Sequence, residues 1–234
     1  MRNYKHIESH LDELLEDVYP QPVDEGHTAL ALDVIDNWIA DLDNCDSVLD
    51  VGCGEAFLQP AFEYLGIKYT GVCLGEDYTK ANKLGRSVEK HDFNFMPYKD
   101  EQFDLVFARH ALEHSVMPLI SLMEWHRVAT RWLCLIMPKP KYWTFIGRNH
   151  YSVMALSQCR FLLQRAGWKI VGEDHSHYTE YRFMCEKVHR VFEPEVEAKL
   201  YETDDLGWIY DKEEYEYEDK DILAWKEKME EELV

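Results

Sequence analysis

Positive charge is scarce in this 234-residue chain: 25 Lys and Arg stand against 45 Asp and Glu, a formal net charge of −20. No stretch gathers the basic residues into a stripe. A chain that repels phosphates gains no counterion-release free energy, so nucleic acid and anionic membrane surfaces are unfavoured partners. Long apolar runs are missing too. None approaches the ~18 residues of a membrane span, and no basic-then-apolar targeting pattern opens the sequence. The six cysteines, at 45, 53, 73, 134, 159 and 185, never form a C-x-x-C pair. Several sit in apolar, strand-like surroundings, which predicts reduced, buried thiols and a cytoplasmic protein. Internal repeats and low-complexity linkers are also absent.

What is present is a 46% hydrophobic content, enough for a real core. Strand-like and helix-like segments alternate. The spacing of Ile7, Leu11, Leu14, Leu15 and Val18 predicts an amphipathic helix ended by Pro20 and Pro22. A second helix is expected over 28–42. Short apolar strands are expected at 48–51, 69–74, 103–108 and 132–137, with helices over 57–64, 77–90, 111–130 and 154–165 between or after them. Strands at 168–172 and 178–186 have no full helix between them, which predicts an antiparallel hairpin at the end. The expected fold is therefore α/β: a doubly wound, mostly parallel seven-stranded sheet with a terminal antiparallel hairpin, N-terminal helices and an acidic C-terminal extension. The expected divisions are 1–44 (a helical segment or lid), 45–190 (the core) and 191–234. Residues 193–234 hold 17 Asp and Glu against 5 Lys, so they carry −12 of the net charge. Tyr201, Trp208, Tyr210, Tyr215 and Tyr217 lie among them, with Ile222, Trp225, Met229 and Leu233 on one helix face. So many aromatics predict docking on the body or on a partner protein.

Residues 48–54, Val-Leu-Asp-Val-Gly-Cys-Gly, carry most of the functional reading. A buried strand, a glycine turn and the start of a helix bring backbone N–H groups close to a ligand. The third slot of a dinucleotide fingerprint is Phe57 in place of glycine, which disfavours a pyrophosphate. The stretch resembles the first motif of the class I S-adenosylmethionine-dependent methyltransferases. Further pieces follow in that family's order: the strand 69–74; Asp92 with Met96-Pro97-Tyr98; Glu101-Gln102-Phe103-Asp104-Leu105-Val106; Leu112-Glu113-His114; His150-Tyr151-Ser152; and Ala166-Gly167-Trp168. The resemblance covers residues 46–187. It implies an enzyme that uses S-adenosyl-L-methionine and releases S-adenosyl-L-homocysteine. Asp50, Gly52 and Gly54 would bind the methionine end, and Cys73 and Leu74 would lie at the ribose slot. Asp92 and Phe93 would hold the adenine, and Ala108 and Arg109 would line the floor. The family's ribose-binding acid is replaced by Cys73, whose thiol cannot act as a bidentate carboxylate. Glu76 or Asp77, slightly later in the chain, could reach back in its place; if neither does, weak cofactor affinity is expected.

Methyl transfer is a displacement at a sulfonium, so the protein supplies alignment and, where the acceptor must lose a proton, a base. His114, His150 and Tyr151 are the candidate catalytic residues, with His175 and His177 as further options. The aromatic run Tyr142-Trp143-Thr144-Phe145 is expected to wall a pocket for a small, partly apolar acceptor. His110-Ala-Leu-Glu113-His114 matches an H-x-x-E-H zinc pattern, and on a helix the two histidines would share a face. It also resembles the E-x-x-E-H metal sites of methyltransferases acting on catechols or RNA ends, with His110 replacing an acid. Its place after a buried strand argues against a peptidase, and no metal is expected. Two other functions stand beside the small-molecule methyltransferase. One is a non-catalytic protein of this fold that engages a partner through the acidic extension, and the other is a metal-assisted methyltransferase on a nucleic-acid end.

Overall fold

The computed structural model describes residues 5–16, 25–140, 149–177 and 179–188. The run 142–145, Tyr178 and the acidic extension 191–234 lie outside the described residues. Two helices come first, α1 (Lys5–Glu16) and α2 (Glu25–Val34). The second continues into a π-helical turn, Ile35–Ile39, so the single helix expected over 28–42 changes its winding partway. Seven strands follow: β1 (Ser47–Val51), β2 (Lys68–Cys73), β3 (Val88–Lys90), β4 (Phe103–Arg109), β5 (Ala129–Pro138), β6 (Trp168–Asp174) and β7 (Glu180–Lys187). Among the described residues, the connecting helices are α3 (Gln59–Tyr64), α4 (Gly75–Lys83), α5 (Pro118–Val128) and α6 (Leu156–Ala166).

The sheet order is β3-β2-β1-β4-β5-β7-β6. Pairings from β3 to β5 are parallel, and β7 is antiparallel to both β5 and β6. The chain order reverses beside β1, where β1 pairs with both β2 and β4. Such a switch point opens a crevice at the carboxyl ends of the strands. Period-2 alternation divides the core between the two faces. Leu49, Val51, Val106, Ala108, Leu133 and Leu135 pack toward α5 and α6, with Trp125, Leu163 and Trp168. Val48, Leu105, Phe107, Cys134 and Ile136 pack toward the other side, with Ile35, Ile39, Phe62 and Ala81. Burial on both faces explains why the central strands read as near-continuous apolar runs.

Two expected helices are shorter than their patterns predict. The one expected over 77–90 stops at Lys83. Gly85, at φ +69°, turns the chain, and Val88–Lys90 pairs with β2 as a seventh strand. The one expected over 111–130 is split. Leu112–His114 forms a single 3₁₀ turn, and α5 begins only at Pro118, a residue suited to the first helical turn. At the far end Gly167 stops α6 in the left-handed region at φ +96°. A Cβ there would lie 2.8 Å from His126 Nε2, so backbone conformation and close packing both require glycine.

Candidate active site

The carboxyl ends of the parallel strands set the site. The chain leaves β1 through Gly52 (φ +70°) and Gly54 (φ +55°), and Ala56 also has a positive φ of 58°. A Cβ on Gly52 would stand 2.7 Å from the Ala111 Cβ, so this glycine lets the β1 loop lie directly against the residues that follow β4. The amides of Gly52 and Cys53 both donate to the Val72 carbonyl, at 2.9 and 3.1 Å, which pins the loop to the end of β2. A buried alanine in a left-handed conformation is a strained feature of the kind that clusters at functional loops.

Asp50, on β1 two residues before this loop, is almost fully buried. Tyr69, from the adjacent strand, donates its hydroxyl to Asp50 Oδ2 at 2.7 Å. Burial pushes the Asp50 carboxyl up to about 7, against the Tyr69 hydrogen bond and the Arg109 charge, which both pull it down. Gly71, paired with Asp50 across the strands, makes room for Cys53: a Cβ there would meet the Cys53 sulfur at 2.6 Å. Cys73 ends β2 with its side chain buried. Its proximity, then burial and the Asp50 charge, hold the Cys53 thiol well above the usual range. The position where the resemblance places the ribose is thus thiol-rich. Asp77, in the first turn of α4, brings its Oδ2 to 3.9 Å from a Cβ built on Gly54. Of the two acids that could reach back, Asp77 is the one that meets the loop at Gly54, while Glu76 is exposed. Leu74 is the residue preceding α4 and is half-buried.

The adenine candidates are more deeply engaged in structure than their resemblance implies. Asp92 Oδ1 accepts from the Asn94 amide at 2.9 Å and from Asn94 Nδ2 at 2.7 Å, an Asx turn just past β3. Asn94 is itself buried, and its Oδ1 accepts from Ser115 Oγ and Ser121 Oγ. The β3 turn is thereby tied to the segment after β4. Phe93 packs edge-on against Trp125 at 5.8 Å, and its carbonyl accepts the Trp125 indole N–H. The Ala108 side chain is wholly in the core, so only its backbone can line a floor. Arg109 turns toward β7, with Nη2 2.6 Å from Glu180 Oε1.

Glu180 had no place in the sequence reading. It is fully buried and also meets His110 Nε2 at 2.9 Å. Burial raises its pKa, but the hydrogen bonds and charges of His110 and Arg109 outweigh this and bring it down to about 2. This pairing draws His110 away from His114. His110 has φ +50° and precedes a 3₁₀ turn, so the shared helix face expected for the two histidines does not form. His114 instead meets the 149–152 loop. Its Nδ1 is 3.2 Å from the Asn149 carbonyl, and its ring stacks T-shaped on His150 with centroids 4.8 Å apart. Burial, then the neighbouring His150, lowers the His114 pKa to about 4 despite the Asn149 hydrogen bond. Tyr151 lies on the same loop with 42% of its surface exposed. His175 and His177 are loop residues: the His175 carbonyl accepts from Lys139 Nζ, and His177 Nδ1 lies 3.1 Å from Thr179 Oγ1.

Residues 49–131 match the methyltransferase domain family model. A methyltransferase structure from Aquifex aeolicus, described as S-adenosylmethionine-dependent, is 24% identical, with 70% of this chain and 90% of that one covered and a TM-score of 0.54. A methyltransferase structure from Bacillus halodurans is 17% identical over 68% of this chain and 99% of that one, with a TM-score of 0.56. The chain therefore has the class I S-adenosylmethionine-dependent methyltransferase fold. The [4+2]-cyclase SpnF shares it at 17% identity over 79% of this chain and 93% of that one, with a TM-score of 0.57. A cyclase on the same architecture means that fold alone does not fix the reaction. No curated protein sequence matches the chain. Among the described residues, no helix is long and apolar enough to cross a membrane.

Proposed function

We propose that the protein transfers a methyl group from S-adenosylmethionine to an oxygen, nitrogen or carbon atom of a small molecule. The observation that carries this reading is the left-handed Gly52–Ala56 loop at the switch point, packed against the residues after β4 and flanked by the Asp77 carboxylate. In this reading the Gly52 and Gly54 backbone receives the methionine end of the cofactor. Asp77 takes the ribose role that Cys73 cannot fill. Asp92, Phe93 and the turn they form border the adenine. When bound, the cofactor supplies the electrophilic methyl group. The chain's own part is to hold that group in line with an acceptor, exclude water and receive a proton where one must leave. In this reading His114 and His150, which pack together on the turn after β4 and the 149–152 loop, would face the acceptor. The acidic surroundings suit a sulfonium cation, whose charge disappears as the methyl group moves.

Calorimetric titration with S-adenosylhomocysteine tests the cofactor reading. Micromolar binding to the wild type, weakened roughly tenfold or more in Asp77→Asn, is the expected result, since a carboxylate on two hydroxyls contributes about 1.5–3 kcal/mol. A folded wild type that does not bind would overturn it.

A further inference from the structure

The turn after β4 holds a group that the cofactor reading leaves unused. Glu113 is fully buried, and neither of its carboxylate oxygens has a hydrogen-bond partner. His110 Nδ1 stands 3.7 Å from Oε1, beyond hydrogen-bonding range. A buried carboxyl group with no partner is costly, and natural proteins meet that cost with a proton, a water or a cation. Two imidazoles lie beside it. One donor atom each from Glu113, His114 and His150 can be chosen so that all three lie within 4.8 Å of one another.

The local architecture accounts for this convergence. The positive φ at His110 reverses the chain after β4, and the single 3₁₀ turn that follows carries Glu113 inward with His114 next to it. The 149–152 loop is laced onto this turn. The Ser152 amide donates to the Glu113 carbonyl at 2.9 Å, and the Ser152 hydroxyl donates to the Ser115 carbonyl. His150 is thereby delivered from a distant part of the chain to a fixed place against the His114 ring. With His114 Nδ1–H donating to the Asn149 carbonyl, Nε2 carries the ring's lone pair. A backbone carbonyl that fixes the tautomer of an imidazole is the usual support of a metal-ligating histidine.

We propose that Glu113, His114 and His150 form a binding site for a divalent first-row transition cation of the zinc, cobalt or iron(II) type. Two imidazole nitrogens and one carboxylate oxygen are the donor set such ions prefer over magnesium or calcium. An ion with ligands at ~2.1 Å holds its donors roughly 3.4 Å apart, so small side-chain rotations close the site. Three protein ligands leave a coordination position open. On the methyltransferase reading, which this part of the inference rests on, an oxygen or nitrogen of the acceptor fills it. The site stands two residues beyond Ala111, whose Cβ abuts Gly52 in the cofactor loop. For a hydroxyl acceptor, coordination lowers the O–H pKa and the proton leaves to solvent. The oxygen then bonds to the methyl carbon, and the carbon–sulfur bond breaks with its electron pair going to sulfur. The products are a methyl ether, a neutral thioether and one proton. In this arrangement His114 acts as a ligand and not as the proton acceptor.

The test uses the full chain, stripped with a chelator and titrated with cobalt(II) alone while visible ligand-field absorption is followed, with a parallel zinc titration by calorimetry. The expected result is one equivalent bound by the wild type, with bands of four- or five-coordinate intensity. Affinity should fall roughly tenfold or more in both Glu113→Gln and His150→Ala. Both variants are checked for folding by thermal melting. His150 is on a loop, so His150→Ala stays informative even where Glu113→Gln is destabilised. Absence of binding by a folded wild type overturns the site, and so does binding that His150→Ala leaves unchanged. S-adenosylhomocysteine binding is measured on the same samples. Its loss with the metal retained would overturn the cofactor reading while leaving the metal site standing, and the reverse result would do the opposite.

Discussion

Asp50→Asn separates the electrostatics of the glycine loop from its role in binding. In the folded protein burial holds the Asp50 carboxyl at about 7, against an ordinary value of 3.8. Between those values the native state keeps a proton that the unfolded chain has lost. The native state therefore binds more protons there, and stability falls as pH rises through the window. The loss is complete above the folded pKa, where both states are ionised. Each pH unit in the window costs about 1.4 kcal/mol, so from pH 5 to pH 7.5 this one group removes about 2.5 kcal/mol from the apo protein. Asparagine has the shape of the protonated acid and keeps a partner for Tyr69, but it does not titrate. Urea denaturation of both proteins at the two pH values gives the answer by difference, which cancels every other titrating group. Asp50→Asn should be more stable than the wild type at pH 7.5, and the advantage should shrink by about 2–3 kcal/mol at pH 5. If the two denaturation midpoints move in parallel with pH, Asp50 does not titrate as a buried acid and the reasoning fails.

Two further substitutions probe how the site is held. Gly52→Val places a branched side chain at φ +70° and against the Ala111 Cβ, so it should cost about 2–5 kcal/mol from backbone strain and overpacking together, read as a lowered melting temperature. A neutral result would mean the loop does not lie against the β4 turn. Glu180→Ala leaves the half-buried Arg109 and the buried Arg182 beside a missing anion, and breaking such a pair costs ~3–5 kcal/mol. Glu180 is depressed to about 2, so its stabilising contribution is present above the usual carboxylate range and is lost as pH falls toward 2. The gap between wild type and Glu180→Ala should therefore close under acid, and a gap independent of pH would contradict the assigned pairing.

The sequence by itself determined the sheet. The central strands are buried on both faces, so their apolar runs stood out in a linear reading, and a sequence pattern of strand, glycine and helix placed Gly52 and Gly54 at the carboxyl edge of β1. It also placed the final hairpin, because no helix pattern separates the last two strands. What it lacked was the short third strand, whose three residues fall within what reads as the end of a helix until Gly85 turns the chain. The site beyond β4 was less legible still. His110 and Glu113-His114 suggest a helical face, but an anion from β7, Glu180, captures His110, and a positive φ turns the backbone so that Glu113 points inward. His150 reaches His114 only because Ser152 binds the β4 turn across the fold. Pairings of this kind join residues far apart in the chain, and their free energy comes from burial and hydrogen bonding that exist only after the sheet has formed. Local propensity can encode a strand or a glycine turn. Which carboxylate is left buried without a partner, and which imidazoles surround it, was decided by tertiary structure.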